Sequence, residues 1–396
     1  MKNQGPSFED VAVAFSNKTN KELYHSKWLF RLFGINFLVS FFSKMVPLLF
    51  SIGIPISYLI KKSVFKQFCA GETLEESSII IKKMNDFKVQ SILDYSVEGN
   101  GTDEGFESTK TEINRIILFA KENKAVPYTC LKFSGIAPLS LLEMYNSTII
   151  DFNSNPKLDE VVKRFNSICH SSLVNNVPIF VDAEESWIQN SVDMFVENAM
   201  KKFNRDKAIV LTTLQMYRWD RIDYLRKIIN ESRKGGYFIG VKLVRGAYYE
   251  KENFRAKEMG YKSPIHIDKE RVDHDFDKAV SICLENIDIM TLCIGSHNEE
   301  STYFALNEMK RLGLKPDDKR IYFSQLYGMS DNISFNLAIA GYNVTKYLPY
   351  GPVKSVIPYL IRRAEENSAI SGQMSRELSF ITTEITRRKT AQKLLN

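Results

Sequence analysis

The chain has 396 residues, of which 44% are hydrophobic and 25% charged, and its formal net charge is +6. That composition can bury a large core, and the length exceeds the roughly 250 residues of an ordinary single barrel, so one large domain with an appendage is expected. The charge is spread along the chain without an interleaved basic and aromatic stripe, which disfavours nucleic-acid binding and leaves weak attraction to anionic lipid as its clearest consequence.

Before residue 86 the sequence lacks strand alternation and reads as an amino-terminal helical arm, 1–85. Glu9 and Asp10 precede any apolar run, unlike a secretory signal or an arginine-rich transit peptide. Residues 27–60 are dense in Leu, Phe and Ile, but Arg31 and Lys44 interrupt them. The longest uncharged run, 45–60, carries Pro47 and Pro55 and falls short of the roughly 20 residues a spanning helix needs. Helices packed on a soluble core are expected there, with a surface-lying, membrane-associated segment as the alternative.

From residue 88 onward, apolar β-like runs alternate with helix-period stretches. The runs are Gln90–Val97, Tyr128–Phe133, Pro178–Asp182, Ala208–Leu214, Phe238–Val244, Ile289–Ile294, Arg320–Phe323 and Asn343–Leu348. Between them lie helical patterns such as Thr111–Lys121, Ser186–Lys202, Asp220–Ser232, Asp273–Glu285, Glu300–Leu312 and Ile333–Ala340. Eight strands alternating with helices predict an α/β fold, a (β/α)8 TIM-type barrel over 86–396 that ends in a carboxyl-terminal helix. Ala208-Ile-Val-Leu211 is continuously apolar, as a strand buried on both faces should be.

In such a barrel, functional groups belong at the carboxyl ends of the strands. Polar residues gather there at Asp94–Glu98, Lys132–Ser134, Asp182–Glu185, Lys242–Tyr249, Ser296–Asn298, Gln325–Tyr327 and Tyr347. A solvated loop would explain any one of these ends; all of them together favour a site. After Pro352 a helix is predicted with Val353, Val356, Ile357, Leu360, Ile361 and Ala364 on its apolar face. Arg362 falls opposite that face and Arg363 on its flank, with Glu366 in pairing reach of either. Periodicity alone reads these as a solvated face with a weak ion pair. If the helix covers a barrel mouth, the adjacent guanidiniums clamp a carboxylate as two lysines could not.

Other chemistries find little support. No G-x-G-x-x-G or Walker-type loop is present, so a dinucleotide cofactor would be held at the barrel mouth, where Lys242, Arg245, Lys269, His297 and Asn298 offer donors. Five scattered cysteines without C-x-x-C spacing fit neither a disulfide framework nor a zinc knuckle, and a reducing compartment follows. Asp273-His274-Asp275 has no second histidine at helical spacing, so no catalytic metal is expected.

These residues resemble the proline dehydrogenase (proline oxidase) family, from about residue 65 to 370. The resemblance is carried by Leu93-Asp-Tyr-Ser-Val-Glu98, Lys132-Phe-Ser134, Val181-Asp-Ala-Glu-Glu185, Val241-Lys-Leu-Val-Arg-Gly-Ala-Tyr248, Ser296-His-Asn298, Gln325-Leu-Tyr-Gly-Met329, and Tyr347 with Tyr359-Leu-Ile-Arg-Arg363. It implies a monofunctional flavoenzyme that oxidises L-proline to Δ1-pyrroline-5-carboxylate with FAD and passes electrons to a membrane quinone. It further implies that Arg362 and Arg363 bind the proline carboxylate with Lys132 nearby, and that Tyr248, Leu326 and Tyr347 wall the ring. Asp182 and Glu98 would pair with and position those cations. Lys242 would approach the reactive face of the flavin, while Val244, Gly246, Ala247, Lys269, Ser296, His297, Asn298 and Glu366 hold the rest of it.

The chain departs from the family in three places. Lys242 stands where members often have arginine, and Arg245 where they often have lysine, which exchanges a planar fork and a point charge. Thr212 stands where a fourth-strand glutamine or asparagine is common, with Gln215 as the possible substitute. A cytoplasmic location follows, with peripheral contact on the inner membrane face as its variant. The competing readings are a hydroxyproline dehydrogenase, a non-catalytic membrane-associated barrel scaffold and a metal-dependent barrel hydrolase.

Overall fold

Eight parallel strands close into a barrel in sequential order in the computed structural model. They are β1 Gln90–Tyr95, β2 Tyr128–Lys132, β3 Ile179–Asp182, β4 Val210–Gln215, β5 Ile239–Val244, β6 Met290–Gly295, β7 Ile321–Leu326 and β8 Val344–Tyr350. The structure describes residues 5–35, 42, 45–46, 48–50, 52, 54–97, 101–147, 155–369 and 373–395, with side chains at 365–369, 373–374 and 395 left aside. The (β/α)8 expectation holds, and each strand lies within a few residues of its predicted run. Every residue of β3, β4 and β8 is buried, as parallel strands between a packed interior and a helical coat require.

The described residues divide into two compact units, Ile92–Ser324 and the pair of segments Met1–Ser91 with Gln325–Asn396. In the first unit the crossover helices begin at side-chain caps. Thr102 accepts from Gly105 N–H ahead of helix Asp103–Glu122, and Asp268 accepts from Arg271 N–H ahead of Lys269–Glu285. Helix Pro156–Asn175 starts with Asn155 as cap and proline in its first turn, and ends on Asn176 in the left-handed conformation.

The second unit is built on aromatic packing. Helix Asn20–Phe33 opens on a reciprocal capping box between Thr19 and Glu22. It buries Leu23, Leu29, Phe30 and Phe33 against Phe68, Val356, Leu360, Phe380, Ile381 and Ile385. Phe33 stacks on Phe68 with ring centroids 5.9 Å apart. The end of β8 is extended by the segment after Phe68, where Ala70 N–H donates to Pro349 O at 2.8 Å. No described helix is long and apolar enough to cross a membrane. Part of the apolar stretch 27–60 lies outside the described residues.

Candidate active site

In the first unit, strand alternation decides which side chains enter the barrel. Lys242 on β5 is 5% exposed and ion-paired to Asp182 on β3, with its ammonium 5.1 Å from the Phe180 ring centroid. Phe180 packs on Tyr128, and Tyr128 meets Tyr322 edge-on, both at 5.0 Å, filling the layer nearer the amino ends of the strands. The interior set is therefore Phe180 and Asp182 on β3, and Gly240, Lys242 and Val244 on β5. Gly240 is required, because a Cβ there would sit 2.1 Å from Leu211 Cγ.

Burial opposes the Lys242 charge, but the Asp182 carboxylate overcomes it, so the lysine titrates above its ordinary value. The pair puts a fixed cation and a fixed anion into a low-dielectric interior. That arrangement can orient a polar cofactor or substrate edge without reorganising.

The same alternation corrects the expectation for β4. Thr213 is the register partner of Lys242, and Gln215 of Val244, so Leu211, Thr213 and Gln215 face inward. Thr212, 1% exposed, lies on the opposite face of the strand, toward the helical coat. Gln215 holds the mouth position instead. Its Nε2 donates to Glu184 O at 2.8 Å, and its Oε1 accepts from Ala247 N–H at 3.1 Å. The sequence leaves Thr212 and Gln215 as alternatives, and the register with Lys242 separates them.

Beyond β5 the chain turns through Gly246, whose φ of +142° and contact with Tyr217 exclude a side chain: a Cβ would lie 2.5 Å from that ring. Arg245 leaves the strand to donate to Asp273 at 2.7 Å, Ser296 at 2.8 Å and Ser301 at 2.9 Å, and it lies 4.4 Å from the Phe276 ring centroid. Lys269 pairs with the same Asp273. Together the two cations hold that carboxylate below its usual range against the opposing effect of burial. Asn298 caps helix Glu299–Arg311 and takes Ser296 Oγ on its own N–H at 3.1 Å. Arg245, Lys269, Ser296 and Asn298 are thus brought together at the β5 and β6 ends, with half-buried His297 between the last two. Lys132 closes β2 in register with Asp182, and Tyr248 is 8% exposed.

In the second unit Leu326 ends β7, Tyr347 lies within β8, and Arg362 and Arg363 lie on the helix Val353–Ala369 that follows it. Tyr347 is 9% exposed, and its carbonyl accepts from Tyr327 N–H at 3.0 Å. The turn after β7 needs glycine at 328, where φ is +82° and a Cβ would meet Gln67 O at 2.0 Å. Gln67 also donates to Gly328 O at 2.7 Å and accepts from Ser26 Oγ at 2.9 Å, so Ser26 and Gln67 brace that turn. Arg363 is only 6% exposed, with its guanidinium 5.2 Å from the Tyr359 ring centroid. This corrects the solvated-face reading for Arg363; Arg362 is half-buried. Glu98 and the side chain of Glu366 lie outside the described residues.

Charged side chains at the ends of strands in a closed (β/α)8 barrel define the class of fold, an α/β barrel. The family described as Proline dehydrogenase matches residues 79–376, and the chain belongs to that family. It is 31% identical to proline dehydrogenase 1, mitochondrial, of Dictyostelium discoideum, over 96% of this chain and 74% of that protein. It is 29% identical to the hydroxyproline dehydrogenase of Xenopus laevis, over 96% of this chain and 90% of that protein. The crystal structure of proline utilization A from Bdellovibrio bacteriovorus, inactivated by N-propargylglycine, superposes with a TM-score of 0.70 at 19% identity. That likeness is one of fold, over 92% of this chain and 36% of the other.

Proposed function

We propose that this chain is an FAD-dependent proline dehydrogenase that oxidises L-proline to Δ1-pyrroline-5-carboxylate and passes electrons on to a membrane quinone. The observation that carries the reading is the buried Lys242–Asp182 pair inside a barrel whose motifs match the family.

The residues present suit a flavin. Gly246 lets the chain leave β5 close against the Tyr217 ring, which keeps Arg245 and Ala247 at the strand end. Arg245, Lys269, Ser296, His297 and Asn298 supply donors for a pyrophosphate and the ring edge, with Val244 and Ala247 beside them and Glu366 assigned by the resemblance. FAD, when bound, supplies the two-electron acceptor. Lys242 is assigned to its reactive face and Gln215, in place of Thr212, to the β4 contact.

Arg362 and Arg363 hold the substrate carboxylate with Lys132 near it, and Tyr248, Leu326 and Tyr347 wall the ring. The burial of Arg363 supports this, since a desolvated guanidinium binds a carboxylate more strongly than an exposed one. Fixing the ring so that one C–H faces the acceptor is worth up to roughly 7–11 kcal/mol in favourable intramolecular cases. The hydride leaves with its electron pair, the amine loses its proton to water, and the C=N bond forms. Glu98 is proposed to position those cations.

Trp28, Tyr58 and Leu59 are more than half exposed beside Lys27, Arg31, Lys61 and Lys62, which supports peripheral contact with an anionic membrane. Co-sedimentation with anionic vesicles tests that contact, and recovery of all protein in the supernatant refutes it. The decisive experiment for the activity is the visible spectrum of the purified protein before and after anaerobic L-proline. Flavin absorbance that bleaches is expected; a colourless protein, or a band indifferent to proline, rejects the reading.

A further inference from the structure

The end of β4 and the loops that follow β2, β3 and β5 are tied to one another by hydrogen bonds through Glu184 and Gln215. Glu184 is 4% exposed and stands two positions beyond Asp182. Its carboxylate accepts from Ser134 N–H at 2.9 Å, in the turn that opens directly after Lys132. Its own N–H donates to Gln189 Oε1 at 2.7 Å, and its carbonyl accepts from Gln215 Nε2 at 2.8 Å. Gln189 donates onward to Asp193 at 2.8 Å, and Arg221 donates to the other oxygen of Asp193 at 2.6 Å. The backbone of Glu184 is therefore held from β4 and from helix Ser186–Phe203, while its carboxyl is aimed at the β2 turn.

Lys132, at the end of β2 two residues before Ser134, acts to lower the pKa of the Glu184 carboxyl and Glu185 on its own loop to raise it, while Gln189 and Gln215 are neutral. Asp182, the register partner of Lys132, is paired with Lys242.

We propose that Glu184 is a positioning residue for the anionic substrate: it sets the turn that presents Lys132, and its charge governs how much of that cation is offered to a carboxylate. The inference rests on the proline-carboxylate reading above and deepens it. A buried backbone N–H left without an acceptor is costly, so the Ser134 contact fixes the turn in either charge state of the glutamate. The charge is what varies. Burial raises the carboxyl to about 7 and Glu185 adds to this, while the Ser134 hydrogen bonds and the Lys132 ammonium pull it down. Below that point a neutral Glu184 leaves the Lys132 charge unopposed. Above it, a second carboxylate competes with the ligand for the same cation. Affinity for a carboxylate should therefore fall as the pH rises through about 7.

The test is the binding of cyclopentanecarboxylate, a ring carboxylate with no basic nitrogen, to the flavin-loaded full chain between pH 6 and 8.5. In the unmodified protein Kd should rise about threefold to tenfold, the range expected when binding is linked to a proton by up to one pKa unit. In Glu184→Gln the slope should flatten to less than about twofold, and Glu184→Asp should restore it. Infrared difference spectra on titration provide an independent reading, a protonated-carboxyl band that disappears near neutral pH and is missing in Glu184→Gln. A flat profile in the unmodified protein, a full slope in Glu184→Gln, or no such band overturns the proposal. If L-proline fails to bleach the flavin and the carboxylate binds at no pH, the proposed function falls with it. Bleaching with a pH-independent Kd removes this inference alone.

Discussion

Lys242 and Asp182 meet inside the barrel as an ion pair whose lysine is 5% exposed and whose aspartate is 9% exposed. Breaking such a pair from one side leaves an uncompensated buried charge, which costs roughly 3–5 kcal/mol, more than its contribution to net stability. Asp182→Ala is expected to lower the denaturant midpoint by a ΔΔG of about that size. The double variant Asp182→Leu with Lys242→Met should recover most of it, to within about 1–2 kcal/mol, while abolishing proline-dependent flavin bleaching. Equal losses in the single and double variants would show that the pair is not coupled.

A second buried cluster joins distant parts of the chain. Asp331 takes Lys18 and Lys346 on its two oxygens, both at 2.9 Å, and Ser330 N–H donates to Glu377. Burial works against the Asp331 charge, yet the two lysines hold its carboxyl at about 2. Burial, assisted by Asp331, pushes Glu377 to about 7. The signs are opposite. Asp331 contributes stability above its ordinary value and loses it as the pH falls toward 2, whereas Glu377 contributes below its ordinary value and loses it as the pH rises through 7. Glu184 and Glu377 share this upward shift, so each is expected to lower the unfolding free energy by about 1–3 kcal/mol between pH 5 and pH 8, and Glu377→Gln should remove roughly half of the combined drop. Denaturation curves at the two pH values decide it; an undiminished slope in Glu377→Gln places the proton elsewhere.

The barrel was legible because its strands are short apolar runs bounded by polar ends, and because parallel strands must be buried on both faces. What alternation along one strand does not reveal is which face points inward. Thr212 and Gln215 could be separated only through the register with Lys242, a relation between strands. Residues 18, 331, 346 and 377 form one charge cluster that no local pattern announces, since each reads alone as an ordinary surface charge. Helix Pro156–Asn175 was there to be read, with its Asn-Pro start and apolar Leu158, Val161, Phe165 and Ile168 at helical spacing. Helix Tyr249–Met259 was not, because it buries only Glu252 and Ala256.

Tyr347 bears on which ring the site accepts. Tyr347, 9% exposed on β8, is a proposed wall of the ring pocket, and in that role it would crowd a ring carbon that carries a hydroxyl. Tyr347→Ser should raise turnover of hydroxyproline relative to proline by about tenfold, the scale on which a pocket resolves one added group. Steady-state kcat/KM for both substrates measures it, and an unchanged ratio removes Tyr347 from the specificity role.

Arg362 and Arg363 carry the proposed carboxylate clamp, and their different burial separates binding from folding. A charge-assisted contact is worth roughly 1.5–3 kcal/mol, so either alanine variant should raise KM for proline by about 10- to 100-fold. Arg363 is 6% exposed and lies over the Tyr359 ring, so Arg363→Ala should also lower the unfolding midpoint. Half-buried Arg362 should change KM with little effect on stability. Arg363→Lys discriminates further, because it keeps the charge and loses the planar fork; its KM should lie between those of the unmodified protein and the alanine variant. If KM is unaltered in both alanine variants while Arg363→Ala still unfolds early, the buried guanidinium is a packing element and the carboxylate is held by other cations, of which Lys132 is the first to test.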